Sequence, residues 1–357
     1  MKPLLIALSL MFLAGAAAPA LSADAVGVRT IAVASAERGE NLAVTVWYPA
    51  AAGGKTTLLG EGRVFQGAPA FADAPALPGP FPLILVSHGS GGRIRDLGWI
   101  ARPLVEAGFV VAGPNHPGTT SGDSTPADTP KLWERTRDMS DVLTALTTEP
   151  EWRASVEAGR IGVLGFSLGG ATALELVGAR ANREAYAHYC DTYPTMPDCA
   201  WFAGGKGFVD GAPVTTAALD LRMIDKARFE QSNLDRRIRA AVLVDPSVAQ
   251  AYDAGSLREI AIPLQFINLG RPANIPVAVK ADALASLTPQ GRYAQVDDAV
   301  HFSFLALCQP DGAAFLKSVG DTDTVCDDGG IRQRADIHAE LTGLITSAFT
   351  TMLKPGM

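Results

Sequence analysis

A Gly-Phe-Ser-Leu-Gly-Gly segment, residues 165–170, lies between an apolar run fit for a buried strand and a pattern typical of a helix. A serine on such a sharp strand-to-helix turn takes a strained backbone conformation, so glycines two residues before and after it are needed to avoid clashes. The serine hydroxyl then projects above the edge of a sheet, and the N-terminal amides of the following helix point at any negative charge that forms there. The segment predicts a helix packed on a sheet, with Ser167 exposed as a nucleophile.

Strand-like and helix-like patterns alternate on both sides of this turn. We expect strands at 29–35, 41–49, 83–87, 109–113, 161–165, 239–244, 263–268 and 293–296, and helices at 96–107, 129–146, from 167, and at 332–352. This order predicts an α/β fold in which helices flank a mostly parallel central sheet. The alternation of strand-like and helix-like segments is interrupted between about 180 and 237, which predicts a lid-like insertion. The Gly/Pro/Ala-rich stretch before Pro82 is expected to be a loop.

Composition limits the class of protein. The 357 residues are 48% hydrophobic, enough for a globular core, and 30 Lys and Arg stand against 37 Asp and Glu. No basic run of five or more residues occurs. The chain therefore lacks the concentrated positive charge that a nucleic-acid-binding protein needs to neutralise phosphates.

Residues 1–23 have the pattern of a secretory signal peptide: Lys2, a short apolar run broken at Pro19, and small residues before Asp24. The apolar run is shorter than a stable membrane helix requires, although an uncleaved anchor is the alternative. We expect an exported chain, periplasmic or secreted, with no stable membrane span after cleavage. Residues 24–357 would form a single domain.

The four cysteines would meet an oxidising compartment after export, where thiols can pair. Cys190 and Cys199 flank a short segment, and Cys308 and Cys326 flank a polar loop. Two local disulfides are the expected connectivity among the three possible ones. A zinc site is the alternative, but the CxxC spacing of such a site is missing. No ligand-spaced His/Asp/Glu cluster suggests a metal, and no cofactor is expected.

A serine nucleophile needs a base to accept its proton and an acid to orient that base. Of five histidines, His301 follows the last strand and lies after the serine in the chain, so we expect it to be the base. His88 and His116 precede the serine. His188 lies in the insertion, and His338 lies in the C-terminal helix.

The acid is expected at Asp245, at the carboxyl end of the buried strand 239–244. The residues after the next strand contain no Asp or Glu. A buried carboxylate is costly unless it is paired and hydrogen-bonded, which favours a role in orienting the base. The alternative is a turn-forming residue before Pro246. Asp297 and Asp298 are expected to be solvated loop charges.

A small-residue loop, residues 88–92, follows the strand 83–87. Small residues let backbone amides approach a developing alkoxide, so we expect the amides of Ser90 and Leu168 to form an oxyanion hole. His88 is then expected to orient the loop.

The sequence resembles the α/β-hydrolases, and within them the platelet-activating-factor acetylhydrolase and dienelactone-hydrolase-like esterases, from about Thr30 to Phe304. The matching pieces are VSHGSGG, GFVVAGPNHPG, IGVLGFSLGGATA, RAAVLVDPS, PLQFINLGRPANIP and VHFSF. The resemblance implies Ser167 as nucleophile, His301 as base, Asp245 as acid, and Ser90 with Leu168 as oxyanion donors. Dienelactone hydrolases carry Cys where this chain has Ser167, and the insertion is longer than the acetylhydrolase pattern.

These features predict an exported serine esterase that cleaves a small-molecule or lipid-like ester through an acyl-enzyme. The same triad could serve an amidase, a peptidase or an acyltransferase, and a non-catalytic binding protein on a hydrolase scaffold is a further alternative. The sequence does not indicate an oligomeric state.

Overall fold

The computed structural model describes residues 25–321 and 323–354, so the predicted signal peptide lies outside the described residues. Within them the strands are β1 (Ala25–Ser35), β2 (Glu40–Ala50), β3 (Lys55–Leu59), β4 (Ala68–Ala72), β5 (Phe81–Ser87), β6 (Val110–Pro114), β7 (Thr119–Thr120), β8 (Asp123–Ser124), β9 (Val156–Phe166), β10 (Gly207–Val209), β11 (Ala212–Val214), β12 (Ile238–Val244), β13 (Leu264–Leu269) and β14 (Gly291–Val296). The α-helices are α1 (Gly98–Glu106), α2 (Leu132–Thr148), α3 (Leu168–Leu176), α4 (Arg183–Thr192), α5 (Pro197–Phe202), α6 (Lys226–Phe229), α7 (Ala254–Arg258), α8 (Asp282–Leu287), α9 (Gly312–Ser318) and α10 (Arg334–Leu353).

The main sheet has the strand order β14-β13-β12-β9-β5-β6-β2-β1-β4-β3. The strands from β14 to β6 in that order are all parallel to their neighbours, whereas β2 is antiparallel to both β6 and β1. The predicted α/β fold with a mostly parallel sheet is confirmed. The four segments expected to carry site residues, after β5, β9, β12 and β14, therefore follow the carboxyl ends of parallel strands, which meet at one edge of the sheet.

The sheet separates two apolar cores because its central strands send alternate side chains to opposite faces. In β5, Leu83 and Leu85 pack with α2 and α3 on one face, while Ile84 and Val86 pack with α1 and α10 on the other. All four side chains are almost fully buried. Burial of each such side chain contributes about 1.5 to 3 kcal/mol, so the continuous apolar runs that predicted these strands also stabilise them.

The stretch before Pro82 is not only a loop. It contains the hairpin β3–β4, and β4 pairs in parallel with β1 to extend the sheet. The sequence APAFA of β4 lacks the β-branched residues and the polar alternation that indicate a strand. Pairing with an existing sheet edge therefore overrides its weak local preference.

The segment predicted as an insertion, residues 180–237, contains α4 to α6 and the hairpin β10–β11. This hairpin pairs with β8, and β8 pairs with β7, so the four strands form a small separate sheet. Three buried aromatic side chains, Tyr186, Phe202 and Phe229, pack in a cluster that also includes Leu168 at the start of α3. This segment thus packs directly against the helix that follows Ser167. Its role as a lid stays a prediction.

Two disulfides join the pairs expected from the sequence. Cys190 and Cys199 link α4 to α5, and Cys308 and Cys326 link the ends of a loop that follows His301. The buried guanidinium of Arg334 supports this second loop by donating to the carbonyl oxygens of Ala306 at 3.0 Å and Val325 at 2.7 Å. Within the part of the chain that the structure describes, no helix is both long and apolar enough to cross a membrane.

The packing of α3 predicts a pH dependence of stability. Glu175 is 1% exposed, and its Oε2 accepts a hydrogen bond of 2.7 Å from Asn233. Its Oε1 has no partner among the described residues. Burial raises the pKa of Glu175 from an ordinary value of 4.5 to about 8.

Because the folded state holds this proton more tightly than the unfolded state, Glu175 contributes stability below about pH 4.5 that is lost progressively as the pH rises towards about 8. We expect Glu175→Gln to raise Tm at the upper end of this window and to change it little at the lower end. Melting curves across the window check this, with Glu149→Gln at the exposed end of α2 as control. Parallel curves for the wild type and Glu175→Gln would contradict the expectation.

Candidate active site

Ser167 occupies the tight turn between β9 and α3 with φ 54° and ψ −119°, a conformation that non-glycine residues rarely adopt. The neighbouring glycines make the turn sterically possible. A Cβ atom at Gly165 would lie 2.0 Å from the carbonyl oxygen of Gly169, and one at Gly169 would lie 1.9 Å from that of Ser87. The side chain of Ser167 stays partly exposed while its neighbours in β9 and α3 are buried.

A chain of hydrogen bonds joins Ser167, His301 and Asp245. The Oγ of Ser167 lies 3.1 Å from Nε2 of His301, and Nδ1 of His301 lies 2.9 Å from Oδ2 of Asp245. A carboxylate only accepts hydrogen bonds, so Nδ1 carries a proton and Nε2 of the neutral ring is free to accept one from the serine. The arrangement can remove a proton from the Ser167 hydroxyl.

Asp245 is fully buried directly after β12 and is held by donors on both oxygens. Its Oδ1 accepts hydrogen bonds from the Asn268 side chain at 2.7 Å and from the Leu269 amide at 2.9 Å, and Oδ2 faces His301. These donors compensate for the loss of water around the carboxylate.

The two other acids considered near the histidine lie apart from this chain. Asp298 is bound to the guanidinium of Arg271 at 2.8 and 3.0 Å, and this hydrogen-bonded pair lowers the pKa of Asp298. Asp297 is exposed and accepts a hydrogen bond from Gln295. Both carboxylates are engaged at the surface of the loop before His301.

The amides of Ser90 and Leu168 belong to two segments that meet beside the serine. A Cβ atom at Gly89 would lie 3.2 Å from the Cβ of Ser167, so the loop after β5 passes next to the turn. Within residues 25–321 and 323–354, neither amide donates a hydrogen bond to another protein group. Both remain available to an oxygen, and the Leu168 amide also lies at the positive end of α3.

The other histidines occupy different surroundings. His88 is buried, and its Nδ1 lies 2.7 Å from the carbonyl oxygen of Gly89. His116 bridges Ser87 and Asp138, with Nε2 3.0 Å from the serine oxygen and Nδ1 2.9 Å from the carboxylate. Burial, with a smaller contribution from the charge of Arg135, lowers the pKa of both rings well below the usual range. Both are therefore neutral.

His338 lies on α10, stacked on Trp99 with ring centroids 3.6 Å apart. Its Nε2 lies 3.1 Å from the carbonyl oxygen of Ser303 and 3.0 Å from that of Leu305, and burial lowers its pKa to about 4. This contact holds the turn that begins at His301. His188 is exposed on α4.

Three side chains that the sequence analysis did not single out also lie at or near the site. The Oγ of Ser247 lies 3.2 Å from the Oγ of Ser167, Asn268 holds the acid, and Arg135 contacts the loop after β5. In the sequence, Asn268 at the end of the strand-like run 263–268 could have indicated one of these residues, because a buried amide needs hydrogen-bond partners. Within the described residues, no three His, Cys, Asp or Glu side chains gather where they could hold a metal ion.

Residues 68–199 match the model of the dienelactone hydrolase family. The structure is similar to that of a ferulic acid esterase from Streptomyces cinnamoneus, with a TM-score of 0.59 and 20% identity, covering 95% of this chain and 92% of that one. The structure therefore has the α/β-hydrolase fold.

A second similar structure is a dienelactone hydrolase from Anabaena variabilis, with a TM-score of 0.47 and 13% identity, covering 92% of this chain and 99% of that one. No curated protein matches the sequence. The match to the family model includes Ser90 and Ser167 and ends before Asp245 and His301.

The hydrogen-bond chain ranks the three nearby acids. Asp245→Asn should lower kcat for ester hydrolysis by about 10³- to 10⁴-fold, because an amide favours the wrong tautomer of His301. Asp297→Asn and Asp298→Asn should change kcat little, because their side chains are hydrogen-bonded to Gln295 and Arg271 instead of to the histidine. Steady-state kinetics of the three variants check this, and a larger loss in Asp297→Asn or Asp298→Asn than in Asp245→Asn would move the acid to the loop before His301.

Proposed function

We propose that this α/β-hydrolase is a serine esterase that cleaves carboxylic esters through an acyl-enzyme intermediate. The hydrogen-bond chain from Asp245 through His301 to Ser167 carries the proposal, because it gives a serine at a strained turn both a base and an acid to orient that base. The match to the dienelactone hydrolase family supports hydrolysis of carboxylic esters as the class of reaction. A small-molecule or lipid-like ester is the proposed substrate.

In the acylation half of the reaction, the Oγ of Ser167 attacks the carbonyl carbon while Nε2 of His301 takes its proton. The buried carboxylate of Asp245 stabilises the imidazolium that forms. The carbonyl oxygen becomes an alkoxide, which accepts hydrogen bonds from the amides of Ser90 and Leu168. The carbon–oxygen bond to the leaving group then breaks, and Nε2 returns the proton to that oxygen to release the alcohol.

In the deacylation half, water replaces the alcohol near His301. Nε2 takes a proton from this water as its oxygen attacks the acyl carbon, and the same two amides hold the second tetrahedral intermediate. Collapse breaks the bond to Ser167, which recovers its proton from Nε2, and the carboxylic acid leaves. Every group in the cycle returns to its starting state.

The nucleophile tests the proposal directly. Ser167→Ala should reduce ester hydrolysis by about 10⁴- to 10⁶-fold, because the members of a triad act as a unit. Hydrolysis of p-nitrophenyl esters measures this, with Ser286→Ala on the exposed face of α8 as the matched control. Activity near that of the wild type in a folded Ser167→Ala variant would refute the assignment.

A panel of substrates distinguishes the reactions that the same three residues could catalyse. Esters of increasing acyl length, anilides, and esters with added acceptor alcohols distinguish an esterase from an amidase or peptidase and from an acyltransferase. We expect hydrolysis of esters to exceed both other reactions. A wild-type protein that binds esters without turning them over would instead indicate a binding protein.

We also propose that the chain is exported and that residues 1–23 are removed. The disulfides Cys190–Cys199 and Cys308–Cys326 support this, because such bonds persist in oxidising compartments. The exported protein should begin at Asp24 and show both disulfides in non-reducing peptide mapping. A mature protein that retains residues 1–23, or that carries free thiols or crossed pairs, would refute this part of the proposal.

A further inference from the structure

Arg135 lies in the first turn of α2 and is only 1% exposed, which is unusual for a residue with a permanent charge. Its guanidinium is the donor in four hydrogen bonds. The acceptors are Thr172 Oγ1 at 2.9 Å, Thr119 Oγ1 at 2.5 Å, Ser87 Oγ at 3.1 Å and the carbonyl oxygen of His88 at 2.5 Å.

All four acceptors are neutral groups. Within the described residues, no carboxylate oxygen lies within 4.0 Å of this guanidinium. A buried cation without a contacting anion is costly to fold, so a surface charge that happened to become buried is a poor explanation for Arg135. Its planar fork suits the simultaneous binding of several acceptors at fixed positions.

Three of the four acceptors belong to the segments that carry the two proposed oxyanion amides, and the fourth, Thr119, lies in β7 beside the loop of Ser90. The His88 carbonyl lies two residues before Ser90, and the Thr119 carbonyl accepts a hydrogen bond of 2.8 Å from the Gly91 amide. Arg135 therefore holds the loop after β5 both directly and through the strand β7 that lies beside it.

On the other side, the hydroxyl of Thr172 connects Arg135 to the first turn of α3. This hydroxyl accepts from Arg135 and donates to the carbonyl oxygen of Leu168 at 2.9 Å. One side chain thus reaches both halves of the proposed oxyanion hole from beneath.

We propose that Arg135 is a positioning residue that fixes the spacing between the amides of Ser90 and Leu168. The inference rests on the proposed function, because it concerns the transition state of ester hydrolysis. Removal of one oxyanion donor costs about 10²- to 10³-fold in kcat. A misplacement of about 1 Å can cost about 10²-fold, so loss of the clamp should be visible in the chemical step.

The test compares an ester with its thionoester, in which sulfur replaces the carbonyl oxygen. Sulfur is larger and accepts hydrogen bonds weakly, so the ratio of kcat for the two substrates measures how well the oxyanion hole works. In Arg135→Met we expect kcat for the oxygen ester to fall about 10- to 100-fold, with a smaller change in KM. The oxygen-to-sulfur ratio should fall by a similar factor.

Arg135→Lys keeps the charge but has no planar fork, so it should show the same loss of selectivity. Arg137→Met, on the exposed face of the same helix, is the matched control and should keep the wild-type ratio. The proposal would be overturned by a folded Arg135→Met variant that keeps the wild-type oxygen-to-sulfur ratio, or by an Arg135→Lys variant that keeps it.

Thr172→Val provides a second variant in case Arg135→Met fails to fold. It removes the hydroxyl that accepts from Arg135 and donates to the Leu168 carbonyl, and it leaves the contacts of Arg135 with the loop after β5 in place. It should lower the oxygen-to-sulfur ratio in the same direction. An unchanged ratio in Thr172→Val would count against the clamp. Loss of the proposed function is distinguishable from both results, because a wild-type protein that hydrolyses neither ester fails before any variant is compared.

Discussion

The close approach of α3 to two neighbouring strands is the constraint on which the site depends. A Cβ atom at Gly169 would meet the carbonyl oxygen of Ser87 at 1.9 Å, and one at Gly170 would meet the Cα of Pro246 at 2.7 Å. The turn at Ser167 is therefore wedged between the end of β5, which leads into the loop of Ser90, and the end of β12, which leads into the turn of Asp245. Packing of one helix thus sets the distances among Ser167, the loop of Ser90 and Asp245.

The acid at the end of β12 requires a partner at the end of β13, and Asn268 supplies it. This buried amide donates to Asp245 and to the Val279 carbonyl, and its oxygen accepts from the Ala281 amide and the Tyr293 hydroxyl. An aspartate at this position would place two carboxylates within hydrogen-bond distance, where both cannot ionise together. The sequence shows no acidic residue at the end of β13. The structure places Asn268 there, and its amide holds the carboxylate of Asp245 at the end of the neighbouring strand β12.

The fold and the candidate site were predictable from the sequence to different extents. Central strands such as β5 and β12 could be predicted because burial on both faces demands continuous apolar runs, and Ser167 and Asp245 each follow such a strand. His301 instead follows the partly exposed edge strand β14, and its place after the last strand was the signal for it. The strand β4 could not, since pairing with β1 decides its conformation.

The supporting side chains were also out of reach of sequence reasoning, for a related physical reason. Arg135 lies in the first turn of α2 among charged residues typical of a solvated helix face. Only the tertiary packing of β5, β7 and α3 around it reveals its four acceptors. Ser247 approaches Ser167 only because two strand ends meet.

A hydrogen-bonded row of serine, histidine and aspartate does not by itself make the serine a nucleophile, because the described residues contain two such rows. Ser87, His116 and Asp138 are linked at 3.0 and 2.9 Å, almost the distances that link Ser167, His301 and Asp245. The first set is fully buried, and the oxygen of Ser87 also accepts a hydrogen bond from Arg135. No ester carbonyl can reach it. The positive φ at Ser167 brings its hydroxyl out of the sheet. Backbone strain and exposure therefore distinguish the hydrogen-bonded set of Ser167 from the buried set of Ser87, which supports the loop of Ser90.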